Sequence, residues 1–352
     1  MNYDALLIVS FGGPESKEDV IPFLENVLSG RNIPRERMLT VAEHYYHFEG
    51  KSPINQQTRD LISALEAELQ QHGPKLPIYW GNRNWHPFLS DTLRKMKQDG
   101  VRRAMAFVTS AYSSYSGCRQ YREDIARAQS EVGRGAPEVD KLRPFFNHPA
   151  FIEATVERVR DALQAIPADA RENVQIVYLA HSIPVSMAST CDYVKQLEEV
   201  RRLVSEALGG QEDALQNHAH QNNARQNDAL VYQSRSGAAG QPWLEPDILD
   251  YLRRVKAGNQ ASAVVLAPIS CGSDHMEVLY DLDVEARRLC DALGLPMARA
   301  KTVGVHPKFI GMIRELILER MNAQVERRAV GSLGPRPDVC AAACCPAPGR
   351  HG

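Results

Sequence analysis

Short runs of aliphatic and β-branched residues alternate along the chain with longer stretches whose apolar positions recur every three or four residues. The short runs predict strands at Ala5–Phe11, Leu76–Gly81, Ala104–Ser110, Val174–His181, Leu230–Gln233, Ala263–Ile269 and Met297–Val303. The longer ones, such as Phe151–Ile166 and Val194–Leu208, carry Leu, Val and Ala at i, i+3, i+4 and i+7 and predict amphipathic helices between the strands. Apolar strands that alternate with helices belong to parallel sheets covered on both faces. The expected fold class is therefore α/β, with two similar doubly wound, Rossmann-like halves, each a parallel sheet flanked by helices.

The polar turn Asn147-His148-Pro149 begins a long new helix and divides the chain into an N-terminal half, residues 1–146, and a C-terminal half, residues 147–306. A last helix, Pro307–Met321, is expected to return to the first half. The stretch 209–228 is rich in Asn, Gln and His, too polar to bury a face, and reads as a surface insertion. His218 and His220 within it are either metal ligands or parts of a solvated loop. The tail, residues 329–352, holds Gly, Pro, Ala and clustered Cys and cannot build a core of its own, so it is expected to be disordered or tied down covalently.

Charge narrows the partners. The 352 residues carry 41 Lys+Arg against 43 Asp+Glu, and a formal net charge of -2 gives no field for nucleic acid or an anionic membrane. No apolar run approaches the ~20 residues of a transmembrane segment, and Ala5–Phe11 lacks the length and basic flank of a signal peptide, so a cytoplasmic protein is expected. Seven cysteines, an odd number over a long chain, argue against a disulfide framework. Cys340, Cys344 and Cys345 crowd the C-terminus, either as surface thiols or as three ligands of a thiolate-bound metal or iron–sulfur centre that lacks its fourth.

Ligands bind outside the carboxyl ends of open parallel strands. That rule selects His181-Ser182-Ile183-Pro184, the segment Cys271–Glu277, and Ser110–Tyr115, which offer His, carboxylate and phenol groups to one cleft. On a helix over Asp274–Cys290, Glu277, Asp281 and Glu285 at i, i+4 and i+8 would form a carboxylate ladder suited to a hydrated divalent ion. The alternative is an ordinary solvated face on which Arg287 and Arg288 neutralise Asp283 and Glu285. Ser52-Pro53-Ile54-Asn55 has the form of a helix start, which is either a structural cap or a carboxylate site. Gly-x-Gly-x-x-Gly, the P-loop, His-Glu-x-x-His and Gly-x-Ser-x-Gly are all absent.

Leu7–Pro14 (LIVSFGGP), Ser52–Asn55 (SPIN), Gly81–Pro87 (GNRNWHP), His181–Pro184 (HSIP), Tyr232–Gly237 (YQSRSG), Trp243–Pro246 (WLEP) and Ser273–Glu285 (SDHMEVLYDLDVE) together resemble ferrochelatases, in family order from residue 3 to about 320. The variant is similar to the actinobacterial type that carries a [2Fe–2S] cluster and whose usual substrate is coproporphyrin III. The resemblance implies a lyase of haem biosynthesis that inserts Fe²⁺ into coproporphyrin III to give coproheme. Protoporphyrin IX is the alternative substrate, a chelatase for another metal or tetrapyrrole a further reading, and a non-catalytic porphyrin or haem carrier the reading from another class. It implies His181 and Glu277 as the catalytic, iron-contacting pair, and Asp281 and Glu285 as an iron route. Ser52, Tyr121, Tyr112, Tyr115 and Arg83 are implied as porphyrin contacts. Cys191 with Cys340, Cys344 and Cys345 would supply four cluster ligands, leaving Cys118, Cys271 and Cys290 as free thiols. Partners would be the porphyrin, ferrous iron and a transient iron donor or haem-pathway enzyme. Two positions depart from the pattern: Phe11 stands where some coproporphyrin enzymes place a Tyr that reaches the metal, and Glu49 where relatives often have Gly.

Overall fold

The computed structural model describes residues 2–30, 33–212, 227–235 and 240–347. The part of the insertion spanning 213–226, with His218 and His220, lies outside them. Among the described residues the strands form two four-stranded sheets, every pairing parallel. The first holds β1 (Ala5–Ser10), β2 (Ile78–Asn82), β3 (Arg103–Val108) and β4 (Glu138–Lys141) in the order β2-β1-β3-β4. The second holds β5 (Val174–His181), β6 (Asp228–Gln233), β7 (Ala263–Pro268) and β8 (Met297–Arg299) in the order β6-β5-β7-β8. Counted from its own first strand, each half repeats one topology, as the alternating pattern predicts. β1, ALLIVS, is buried at every position because helices cover both faces of a central parallel strand. β4, EVDK, is missing from the predicted strands because it has one apolar residue, which suffices at a sheet edge.

In the first half the strands are joined by α1 (Val20–Leu28), α2 (Arg35–His47), α3 (Ile54–His72), α4 (Leu89–Gln98) and α5 (Gln120–Val132). The second half adds α6 (Pro149–Ala165), the short α7 (Val185–Ala188), α8 (Tyr193–Glu212), α9 (Ile248–Ala257), α10 (Met276–Val278), α11 (Arg287–Leu293) and the final α12 (Pro307–Met321). α6 and α12 start alike: a His precedes Pro, and its Nδ1 accepts the backbone N–H two residues on at 3.3 Å, from Ala150 and Lys308 respectively. Proline at the first position loses no hydrogen bond there, and the imidazole satisfies one of the free amides.

One apolar core joins the sheets, containing Leu6 and Ile8 of β1, Tyr178 of β5 and Val265 of β7. Phe107, Phe145, Phe151 and Phe309 interlock in it, with ring centroids 5.3–6.3 Å apart. α12 packs against both α3 and α6. A smaller cluster over the top of the second half unites Val20, Phe23, Leu24, Met38, Ala42 and Tyr45 of α1 and α2 with Met276. No helix of the described residues is long and apolar enough to cross a membrane.

The first part of the tail is held by side-chain contacts, which the sequence did not suggest. Ser332 donates from its hydroxyl to the Glu199 carboxylate at 3.0 Å, Asn147 Nδ2 donates to the Gly334 carbonyl at 2.8 Å, and Arg336 pairs with Asp192 at 3.1 Å. These contacts order a segment that has little apolar surface to bury.

Arg143 donates twice to Glu319 of α12, at 2.8 and 2.9 Å, and also to the Arg328 carbonyl at 2.8 Å, with both charged side chains buried. Removing one partner of such a pair strands the other charge. Glu319→Ala is therefore expected to lower the unfolding free energy by about 3–5 kcal/mol in a urea titration; a change under about 1 kcal/mol would show that α12 is not anchored there.

Candidate active site

β5 and β7 lie side by side while their onward connections lead to opposite edges of the sheet, which opens a crevice at their carboxyl ends. His181 ends β5, and Ser270–Met276 follow β7. β1 and β3 hold the equivalent place in the first half and lead into Phe11–Pro14 and Thr109–Ser114. Contacts between the halves bring these ends together: Tyr112 donates to the Ile269 carbonyl at 2.8 Å, and Gln57 of α3 accepts from the Asp274 amide at 2.8 Å.

His181 is fixed from three sides. Its amide donates to Ser270 Oγ at 3.1 Å, its carbonyl accepts from Tyr193 at 3.0 Å, and its Nδ1–H donates to the Ser182 carbonyl at 2.6 Å. That last bond leaves Nε2 with a free lone pair. Burial pushes its pKa below the ordinary 6.5 and the charge of His275 adds to this, while Glu277 and the Ser182 carbonyl oppose it. His181 is thus neutral at physiological pH.

Glu277, in the first turn of α10, has the opposite setting. His275 Nδ1 donates to its Oε2 at 2.6 Å, and on the other side of the ring His275 Nε2 lies 2.9 Å from Cys271 Sγ. Burial opposes a charge on His275, but the adjoining Cys271 and Glu277 outweigh it and raise its pKa well above the ordinary value. Burial likewise opposes the Glu277 carboxylate, yet the charge and hydrogen bond of His275, with His181 assisting, hold it at about 2. His275 was not among the predicted site residues; its place two residues before Glu277, on the loop leaving a strand end, was the available signal.

The single helix expected over Asp274–Cys290 is corrected. An α-turn over Met276–Val278 gives way to a π-helix, Leu279–Ala286, before α11. The physical reason lies in a period of four: Val278, Leu282, Ala286 and Cys290 are all buried in one cluster. An α-helix of 3.6 residues per turn would carry each of these about 40° past the last, and the wider i→i+5 winding between the two α segments turns them back, so the set stays facing the core. Glu277, Asp281 and Glu285 share that period. They run from partly buried through buried to exposed, and Asp281 feels both neighbours. Asp283 pairs with Arg299 at 2.7 Å, and Arg287 donates to the Met297 carbonyl instead of to Asp283. Burial pushes Asp281 up to about 7, against the hydroxyl of Ser234 and with the charges of Glu277 and Glu285. Glu285 is raised by burial and then by Asp247.

The first half lines the other side. Ser52 is buried beside Gly13, where any Cβ would come within 2.8 Å of Ser52 Oγ, and its hydroxyl lies 3.5 Å from the Ile54 amide at the start of α3. Tyr121 in α5 is buried under the guanidinium of Arg83, 4.5 Å from ring centroid to Cζ. Arg83 itself is committed to Asp124, at 2.5 Å with both side chains buried, so it backs Tyr121 rather than standing free for a propionate. Tyr115 is partly buried and donates to Glu123 at 3.1 Å. Tyr112 departs from its expected place on the wall: it is 2% exposed, packs on Phe146 and Tyr193, and uses its hydroxyl on Ile269. Phe11 packs edge-on to Phe23, and Glu49 adopts a left-handed φ of 56°, a conformation that favours glycine.

Far along the chain, a cavity of about 210 Å³ is lined by Cys340, Cys344 and Cys345, with Cys118 from the first half. Cys344 and Cys345 place their sulfurs 3.5 Å apart, and Arg119 donates to the Cys344 carbonyl at 3.3 Å. Cys191 is not part of that lining; its thiol donates to the Met187 carbonyl at 3.3 Å, and burial pushes its pKa up. Among the described residues no three His, Cys, Asp or Glu side chains stand as a closed metal-ligand set.

The family profile of ferrochelatase matches residues 3–321. The chain belongs to the ferrochelatase family. "Ferrochelatase" of Rhodopirellula baltica is 53% identical over 343 residues, 97% of this chain and 93% of that protein. "Coproporphyrin III ferrochelatase" of Streptomyces coelicolor is 48% identical over 362 residues, 98% and 94% of the two chains, and its namesake from Nocardia farcinica is 44% identical over 367 residues, 100% and 98%. Among solved structures, SirB from Bacillus subtilis with Fe³⁺ shares the fold at 12% identity, with a TM-score of 0.54 over 92% of this chain and 99% of that one. The ferrochelatase is accordingly an enzyme, a metal-inserting porphyrin chelatase, on a two-sheet α/β fold.

The ladder of this ferrochelatase gives a pH test. Asp281 titrates at about 7 in the fold against an ordinary 3.8, so the folded protein retains a proton that the unfolded chain loses. Its stabilising contribution is full below about pH 4 and is lost as pH rises through about 7. Relative to wild type, Asp281→Asn should gain on the order of 3–4 kcal/mol between about pH 4 and pH 8 in metal-free urea unfolding; a pH-independent difference would contradict this environment.

Proposed function

We propose that this ferrochelatase inserts ferrous iron into coproporphyrin III, forming coproheme in haem biosynthesis, with His181 and Glu277 as the catalytic pair. The observation that carries the reading is their opposite electrostatic setting. His181 presents a neutral Nε2 lone pair, whereas Glu277 is kept ionised by His275. Insertion removes two pyrrole protons and replaces water around Fe²⁺ by four ring nitrogens. A neutral imidazole is the better proton acceptor, and a carboxylate held at about 2 is a poor base but a lasting anionic contact for a hard cation. His181 therefore takes the pyrrole protons one at a time at Nε2, releasing the first to solvent before it accepts the second, while Glu277 faces the incoming iron. Asp281, near 7, can give up its proton as iron passes from the exposed Glu285 inward. Ser52 with the N-terminus of α3 suits a propionate, because free amides and a hydroxyl gather there, and Tyr121 and Tyr115 supply porphyrin contacts.

The coproporphyrin preference is supported by the names of relatives that match nearly the full chain. A cytoplasmic setting, with a transient iron donor or haem-pathway enzyme as partner, is consistent with seven cysteines that are all free. Anaerobic Fe²⁺ insertion, followed by the porphyrin spectrum, is expected with coproporphyrin III and more slowly with protoporphyrin IX. His181→Ala should lose at least about 100-fold in turnover while still binding porphyrin. Wild-type turnover in that variant would remove the base from the mechanism, and binding without turnover by the native protein would leave a porphyrin carrier.

We also propose that Cys191, Cys340, Cys344 and Cys345 hold a [2Fe–2S] cluster. Soft sulfur donors in fours are what such a centre takes, and the tail thiols border a cavity rather than open solvent. The purified protein should be brown, with visible absorbance lost in Cys191→Ser. Colourless protein after anaerobic reconstitution with iron and sulfide would refute the cluster, and loss of colour in Cys118→Ser alone would move the fourth ligand to the cavity wall.

A further inference from the structure

The proposed chemistry makes no use of Cys271, although the residue is part of a continuous polar chain across the site. His181 donates its amide hydrogen to Ser270 Oγ at 3.1 Å, and Ser270 Oγ lies 3.4 Å from Cys271 Sγ. The sulfur is in turn 2.9 Å from His275 Nε2, and His275 Nδ1 donates to Glu277 Oε2 at 2.6 Å. The two residues assigned opposite roles are thus linked by three side chains, all on the short stretch that leaves β7.

The geometry constrains His275 more than its contact with Glu277 alone would. One hydrogen bond at Nδ1 leaves an imidazole free to swing about that bond or to flip and offer its other nitrogen. A second partner across the ring fixes the plane and settles which nitrogen faces the carboxylate, whether the proton shared by Nε2 and sulfur sits on one or the other. The same logic operates where a third group orients the histidine of a catalytic triad, or where an outer hydrogen bond orients a metal-ligating one. Here the oriented group is a carboxylate, which could otherwise rotate in a partly open cleft.

We propose that Cys271 is a positioning residue for iron insertion: it holds His275 so that Nδ1 donates to Glu277, and so sets the carboxylate opposite His181. The proposal rests on the reading of His181 and Glu277 as the catalytic pair.

The test compares Cys271→Ala, Cys271→Ser, His275→Ala and the Cys271→Ala/His275→Ala double variant in the full chain, using anaerobic Fe²⁺ insertion and ¹⁵N-histidine NMR. Cys271→Ala should lower kcat about tenfold with the porphyrin KM unchanged. Cys271→Ser, which keeps a hydrogen-bonding hydroxyl opposite Nε2, should recover most of that loss. In the His275→Ala background the Cys271 substitution should have no further effect, because a residue that acts through His275 has nothing left to orient. The Nδ1–H signal of His275 should be slow to exchange in wild type and in Cys271→Ser, and averaged in Cys271→Ala. Unchanged kcat in Cys271→Ala, an equal loss with and without His275, or a raised porphyrin KM alone would each overturn the proposal. Should the wild-type protein bind porphyrin without inserting iron, the catalytic reading fails; a His275 signal still dependent on Cys271 would then retain the orienting contact but overturn its role in insertion.

Discussion

Phe107, Phe145, Phe151 and Phe309 interlock between the two sheets, and the positions of the strand ends that carry the chemistry follow from that contact. An interior packed at crystal-like density does not deform continuously, so the two halves cannot slide past one another without leaving a void. The ends of β1 and β3 are thereby set against those of β5 and β7, and Tyr112 closes the gap with a hydrogen bond to Ile269. α1 and α2, by contrast, rest on Met276 through a much smaller apolar cluster.

Within that frame the site works by separating charge states. His181 and Glu277 occupy one crevice, and the proximity of a carboxylate alone would tend to protonate the imidazole. Burial of His181 is the main reason it does not, and His275 adds to this by engaging Glu277 directly and by placing a repulsive positive charge nearby. A lone pair and a negative charge therefore coexist in a space small enough for both to act on one substrate.

The strands were legible where burial is two-sided. β5 runs Val174–His181 in the fold as in the pattern, because the apolar run Ile176–Ala180, followed closely by Pro184, has few other solutions. β4 was not legible, since an edge strand needs little hydrophobicity. His181 was singled out by its place at a strand end, and Glu277 and Asp281 by their spacing of four and by the resemblance of their segment. Tyr112 and Arg83 could not be placed from their motifs, because whether a phenol or guanidinium faces a cleft or a core depends on distant partners, Ile269 and Asp124. The partnership of Cys271 with His275 was hidden for a related reason: both were visible in the sequence, but only the loop geometry after β7 turns a spacing of four into a sulfur–nitrogen contact.

The π-helix over Leu279–Ala286 bears on how this region can change over generations. A wide turn is equivalent to an α-helix carrying an inserted residue. Deleting one residue from it would return the segment to ordinary winding with α11 still on its buried face, and the spacing of Asp281 from Glu277 or from Glu285 would fall from four to three. Individual side chains there can be exchanged while the spacing survives, but the length of the segment cannot. A partly exposed surface stretch is in this way held to a fixed residue count as strictly as the buried strands are held to their composition.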